Sequence, residues 1–126
     1  MIKGVLQVAN FGKIKARYFT AGEFACKCCG RVMIDNRLVT MLDRVRHTLG
    51  KPIYVNSGYR CVDHNKAVGG ATGSYHVKGL AADITAHCDL KRLQRLCFAA
   101  GIPTAVIYHR QGFVHVDLGT PRTWAT

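Results

Sequence analysis

Apolar positions along the chain recur with two different periods. Over 36–49, Leu38, Val39, Met41, Leu42, Val45 and Leu49 keep to one helical face, the stripe that a helix turns towards a core. Asp35 stands before this stretch as an N-cap and Gly50 stops it. Thr20 and Glu23 have capping-box spacing and predict a short helix near 21–25. Asp89 opens a further helix over 90–100, stopped by Gly101 and Pro103, and a short helix is expected over 61–67, punctuated by Gly69-Gly70. Between these, PIYVNS at 52–57 reads as a buried strand, and LAADIT at 80–85, TAVIYH at 104–109 and FVHVDL at 113–118 read as strands. Arg110-Gln111-Gly112 joins the last two as a hairpin. Alternation in the last strand puts Phe113, His115 and Asp117 on one face and Val114 and Val116 on the other.

Two consecutive strands at the end favour an α+β fold, a small antiparallel sheet with helices packed on it, over a doubly wound parallel sheet. With 126 residues and 13.9 kDa there is room for one domain. Residues 1–17 read as an N-terminal segment, a short strand or an adaptable stretch, and 18–126 as the domain proper. Apolar residues make up 48% and charged residues 20%, which excludes a disordered or low-complexity chain. No run of 18 apolar residues occurs, so no helical membrane span is expected. The first 17 residues interrupt any apolar region with Lys, Gly and Asn; no export signal is expected, and the product would be made in the cytoplasm.

Charge narrows the partners. Eighteen Lys and Arg against seven acids give a formal charge of +11, which suits nucleic acid, an anionic membrane surface or an anionic cell-wall polymer. The basic residues are spread over the whole length with few aromatics among them, an arrangement poor for base stacking, so no nucleic-acid partner is expected. A monomer is expected. The acids are six Asp and the single Glu23, which makes the list of carboxylates for any chemistry short.

Six cysteines at 26, 28, 29, 61, 88 and 97 are expected as thiols, disulfides being the alternative in an oxidising compartment. Cys26-x-x-Cys29 and Cys61-x-x-His64 have the ligand types of a structural zinc site, with a longer gap between the halves than common fingers show. Cys88 and Cys97 flank apolar positions and read as small buried hydrophobes.

A second metal-ligand pattern lies further on. His76 sits in a loop, Asp83 follows in a short apolar strand, and His115 lies in another apolar strand. A buried carboxylate requires a cation or several donors. Two imidazoles and a carboxylate are three ligands of the kind zinc takes in catalytic sites, leaving a position for water. The alternative is an ordinary hydrogen-bonded histidine pair and a turn-capping aspartate.

The string Ser74-x-His76-x-x-Gly79-x-Ala81-x-Asp83, the later His115-x-Asp117, and Ser57-Gly58-Tyr59-Arg60 followed by His64-Asn65 and Val68-Gly69-Gly70 resemble the zinc D-Ala-D-Ala carboxypeptidase family of murein peptidases over residues 18–124. The resemblance implies an α+β fold shared with the hedgehog signalling domain. It implies Zn2+ held by His76, Asp83 and His115, and a peptidoglycan peptide held through its carboxylate by Arg60, with Ser74 and Tyr75 beside it. Ser74 either bonds substrate or braces the loop; His64, Asn65, Gly69 and Gly70 shape the turn that presents Arg60.

Many family members carry an acid three residues before the third ligand as general base; here that residue is Gly112. Asp117 is the replacement expected on strand alternation, His109 and Tyr108 being the other proton carriers. The implied function is hydrolysis of D-amino-acid-containing peptides, as a carboxypeptidase or an endopeptidase, with a phage or prophage lysin as one setting. The missing acid keeps a zinc-bearing module that binds wall peptides without cutting them as the alternative.

Overall fold

The computed structural model describes residues 16–126; apart from residues 16 and 17, the N-terminal segment lies outside them. A 3-10 turn, Ala21–Phe24, is followed by α1 (Asn36–Leu49), β1 (Ile53–Ser57), α2 (Val62–Ala67), β2 (Ala81–Ala86), α3 (Leu90–Ala99), β3 (Thr104–Tyr108) and β4 (Phe113–Asp117). The expected helices and strands are all present within a residue or two. Local chemistry sets their ends. Asp35 Oδ1 accepts the Arg37 N–H at 2.8 Å and Asp89 Oδ1 accepts the Lys91 N–H at 3.2 Å, satisfying N–H groups that a first helical turn leaves unpaired. Thr20 N–H donates to Glu23 Oε1 at 3.0 Å, the reverse arm of a capping box.

The four strands form one antiparallel sheet in the order β1-β2-β4-β3. The fold is α+β. One face of the sheet is covered by helices: α1 packs on α3, and α3 lies across β2, β3 and β4. Leu38, Leu42 and Val45 of α1 and Leu93 and Cys97 of α3 meet Ile53, Ala82, Ile84, Ala105, Val114 and Val116 from the sheet in one core. Cys97 is fully buried there, and burial pushes its thiol up to about 12, so it acts as the small hydrophobe its setting predicts. Cys88 packs on the rim of the same core.

The first strand corrects an expectation. Residues 52–57 read as a buried strand, yet β1 is an edge strand with alternating exposure, and Tyr54 is 46% exposed. A strand paired on one side and packed on one face needs alternation, not a continuous apolar run.

Strand pairing decides what the other sheet face carries. Asp83 of β2 pairs with His115 of β4, and His115 in turn with Val106 of β3. Ala81 pairs with Asp117, and Asp117 with Thr104. Since side chains alternate along a strand, Asp83, His115 and Asp117 share the face opposite the helices. The two central strands thus give one face to the core and the other to polar chemistry.

Candidate metal centre

His76 reaches this face from the turn between α2 and β2. The turn closes through Val77 N–H to Ser74 O at 3.1 Å and Leu80 N–H to Tyr75 O at 3.0 Å. Gly79 holds a φ of +72°, and a Cβ there would stand 2.4 Å from Met33 O. Only glycine fits that passage, and it lets the chain turn from His76 to Asp83.

The imidazoles of His76 and His115 and the carboxylate of Asp83 are all buried, with one ligand atom from each lying within 4.8 Å of the others. His76 Nε2 is 3.2 Å and His115 Nδ1 3.0 Å from the same oxygen, Asp83 Oδ1. The far nitrogens are fixed as well: His76 Nδ1 donates to Gly58 O at 2.8 Å, and His115 Nε2 donates to Asp117 Oδ2 at 2.7 Å.

Proton accounting shows what this arrangement is for. A backbone carbonyl and a carboxylate only accept, so His76 Nδ1 and His115 Nε2 each carry a proton. If the facing nitrogens also donated to Asp83, both rings would be imidazolium cations, with centroids 5.2 Å apart, on one buried carboxylate. Neutral rings with their lone pairs turned inward, beside one carboxylate oxygen, are instead the donor set of a divalent cation. The residues fit zinc.

Without a cation, ring protons must take its place between the imidazoles and Asp83. Burial pushes the Asp83 carboxyl up, but hydrogen bonds from His115 and His76 outweigh it and hold the group at about 2. Burial lowers His115, and its bonds to Asp117 and Asp83 overcome this and raise it.

Arg60 enters from the segment after β1. Its Nε donates to Ser57 Oγ at 3.1 Å, Nη1 to Asn65 Oδ1 at 3.2 Å and Nη2 to Asp83 Oδ2 at 3.3 Å. Three of its five N–H groups are engaged and two are left for a ligand. Asn65 also donates from Nδ2 to Ala71 O at 3.0 Å, tying Arg60 to the following loop. Gly70 lies so close that a Cβ would overlap Asn65 Oδ1. Asn65 and the glycine pair thus brace the turn that presents Arg60. Ser74 Oγ accepts the His76 N–H at 3.2 Å, so it braces the ligand loop while lining the cleft.

Two expected proton carriers do not line the cleft. Asp117 is fully buried, and both its oxygens are taken: Arg122 Nη1 and Gly119 N–H donate to Oδ1, each at 2.9 Å, and Arg122 Nη2 and His115 donate to Oδ2 at 2.9 and 2.7 Å. Burial raises its carboxyl, these donors outweigh that, and it sits at about 2. It orients His115 and has no free edge for a substrate proton. His109 lies exposed at the end of β3, on a separate groove with Gln94 and Arg95, because β3 delivers Tyr108 to the site face and turns away one residue later.

His76, Asp83 and His115 lie in a cleft of about 620 Å³, lined also by Arg60, Ser74, Tyr75, Tyr108, Arg122 and Trp124. Arg122 and Trp124 carried no signal in the hydrophobic pattern. They come from the segment after β4, where Arg122 lies over Tyr75 at 4.8 Å and over Trp124 at 5.1 Å. Trp124 Nε1 donates to the Tyr108 hydroxyl at 2.9 Å. The only tryptophan of the chain was the available hint. Tyr75 fits its wall because Gly119 has no Cβ, which would stand 2.6 Å from the ring.

Residues 17–117 match the model of the family described as peptidase M15. The chain belongs to the peptidase M15 family. Among M15 relatives, it is 35% identical over 101 residues to the peptidoglycan L,D-endopeptidase MepK of Escherichia coli K12, covering 72% of this chain and 54% of that protein. It is 54% identical over 54 residues to the zinc D-Ala-D-Ala carboxypeptidase of Streptomyces albus G, covering 40% of this chain and 21% of that one. This M15 chain spans about half the length of the MepK proteins it matches.

Proposed function

We propose that this chain is a zinc-dependent hydrolase of peptide bonds in peptidoglycan. The observation that carries the reading is the proton accounting at Asp83: two neutral imidazoles turned inward with one carboxylate, on the floor of a cleft that Arg60 also lines. Membership of the M15 family and the printed activities of the two relatives support it.

When bound, zinc supplies Lewis acidity, polarising a carbonyl and acidifying water at neutral pH. The side chains do the rest. Arg60 holds a substrate carboxylate with its two remaining N–H groups, a planar match that a lysine lacks. The Tyr108 hydroxyl accepts from Trp124 and keeps its own proton to donate. Its ring centroid lies 6.4 Å from that of His115, so it serves as the donor to the oxygen that gains charge as the carbonyl is attacked. Asp117 and Gly58 hold the two imidazoles in the tautomers that leave their inner nitrogens unprotonated. Tyr75 and the Arg122–Trp124 pair form the wall against which the peptide lies.

A specific observation favours a second reading, a binding module that does not cut. Among the described residues, Asp83 is the only carboxylate lining the cleft, and it is committed to the ligand set. Zinc-loaded protein incubated with purified sacculi and with stem peptides of defined sequence separates the two readings. Mass spectrometry is expected to show new amino and carboxyl termini, abolished by chelation and restored by zinc. The cleaved bond distinguishes carboxypeptidase from endopeptidase action. Sedimentation with sacculi and no new termini, in protein shown to contain zinc, would replace the hydrolase with the binding module.

A further inference from the structure

A second group of metal-ligand side chains lies apart from the cleft ligands. The Sγ atoms of Cys26, Cys29 and Cys61 lie within 4.8 Å of one another. Cys26 and Cys61 are buried, Cys29 is half-buried, and all are thiols. Cys26 and Cys29 follow the 3-10 turn, and Cys61 follows Arg60, so the cluster joins two segments that are distant in sequence.

The backbone around these atoms is arranged for sulfur carrying charge. From Cys26 the chain makes a tight turn, with Gly30 N–H donating to Cys26 O at 2.8 Å and Cys26 N–H to Arg31 O at 2.7 Å. Gly30 closes it at a φ of +74°, a conformation that suits glycine. Cys61 N–H donates to Cys26 Sγ at 3.4 Å, and the N–H groups of Cys28 and Cys29 are directed at the same sulfur. His64 N–H donates to Cys61 Sγ at 3.4 Å, and Arg31 Nε to Cys29 Sγ at 3.4 Å. Each sulfur thus has at least one N–H donor, although burial and the neighbouring sulfurs push the Cys61 thiol up to about 11 when no cation is present.

The fourth corner is less closed. Cys28 is exposed, with its Sγ 3.9 Å from Cys61 Sγ. The His64 imidazole, which the sequence spacing pairs with Cys61, is not among the converging ligand atoms; that residue contributes its backbone N–H instead. The surrounding packing is thin. Besides the cysteines, this small cluster contains only Tyr59 and Met33, and it is separate from the main core. So little apolar area holds two segments together weakly, and small folds in that position commonly add a metal or a disulfide.

We propose that Cys26, Cys29 and Cys61 bind a second, structural zinc ion as thiolates, with the fourth coordination place on the side of Cys28. The site pins the segment after the 3-10 turn to residues 59–61 and thereby fixes the backbone that presents Arg60. It takes no part in hydrolysis, and it stands or falls independently of the histidine centre.

The test is metal content together with the cobalt spectrum, on the full chain prepared with reductant and zinc. The parent is expected to hold two zinc ions per chain, and His76→Ala and Cys29→Ser one each. Cys29 is half-buried, so its serine variant is the one expected to fold, with circular dichroism checking this. Cobalt-loaded His76→Ala should show thiolate-to-cobalt charge-transfer absorption, and Cys29→Ser should lack it. A folded His76→Ala protein without metal and without that band would overturn the site. So would protein isolated without reductant whose unfolded form shows Cys61 joined in a disulfide to Cys26 or Cys28. Loss of metal from His76→Ala alone bears on the hydrolase; loss from Cys29→Ser alone bears on the structural site.

Discussion

Replacing Asp117 by Asn tests whether a residue with no access to the cleft controls the metal. The native carboxylate accepts from His115, twice from Arg122 and from Gly119 N–H. An amide offers one oxygen and one NH2 group in the same space. With NH2 beside His115, the ring must accept at Nε2, which moves its proton to Nδ1, the nitrogen that faces Asp83. With the amide flipped, NH2 stands against the Gly119 N–H and an Arg122 donor. One orientation spoils the ligand tautomer and both leave donors opposed. Outer partners of this kind contribute about 10–100-fold in metal affinity, or roughly 1.4–2.7 kcal/mol. Losing at least one charge-assisted bond to Arg122 at a fully buried position should also destabilise the metal-free fold by about 1.5–3 kcal/mol. Zinc affinity is read by competition with a chromophoric chelator in a Cys29→Ser background, and stability by denaturant unfolding without metal. A folded Asn variant that binds zinc as tightly as its parent would refute the orienting role of Asp117.

Other consequences follow from the same geometry. Without metal, the raised His115 value gives stability that is fully present below about pH 6.5 and is lost as pH rises through the folded value. Zinc-loaded protein should become more stable over that range, because bound metal displaces the proton; melting curves against pH with and without zinc check the opposite slopes. The lowered Asp117 carboxyl adds stability that is present above its ordinary value of 3.8 and lost as pH falls towards about 2, a slope that the Asn variant should lack. Arg60→Lys keeps the charge but not the fork to Ser57, Asn65 and Asp83. It should lower kcat/KM on a carboxylate-bearing peptide by about tenfold or more, the equivalent of about 1.4 kcal/mol, with melting temperature as the control for folding. Gly79→Ala meets both a positive φ and Met33 O; a loss of about 1–3 kcal/mol is expected, and an unchanged unfolding midpoint would refute it.

Most of the fold was legible because its signals are local. Asp35, Asp89 and Gly50 mark helix ends through bonds made within a turn, and alternation in β4 depends on period alone. The three side chains that converge, His76, Asp83 and His115, could be picked out for the same reason, from short motifs on strands and a turn. Pairing register could not be read, and it is register that brings Asp83 opposite His115. Nor could the occupancy of Asp117: its position facing the site was correct, but the Arg122 that immobilises it lies in a segment with no periodicity. His109 was misplaced by one residue of strand, enough to turn it from the cleft. β1 read as buried because its apolar residues give no indication of which side lacks a neighbour.

In β4, the residues that hold the helices in place and the residues that present ligands are interleaved one by one. A slip of one position against β2 would turn Val114 and Val116 out to water and drive an imidazole and a carboxylate into the greasy layer. Sequence drift therefore has no smooth route to a misaligned but still folded enzyme along this strand. A change of register there also removes the protein from the folded population, and variants that survive to be assayed have kept the alignment.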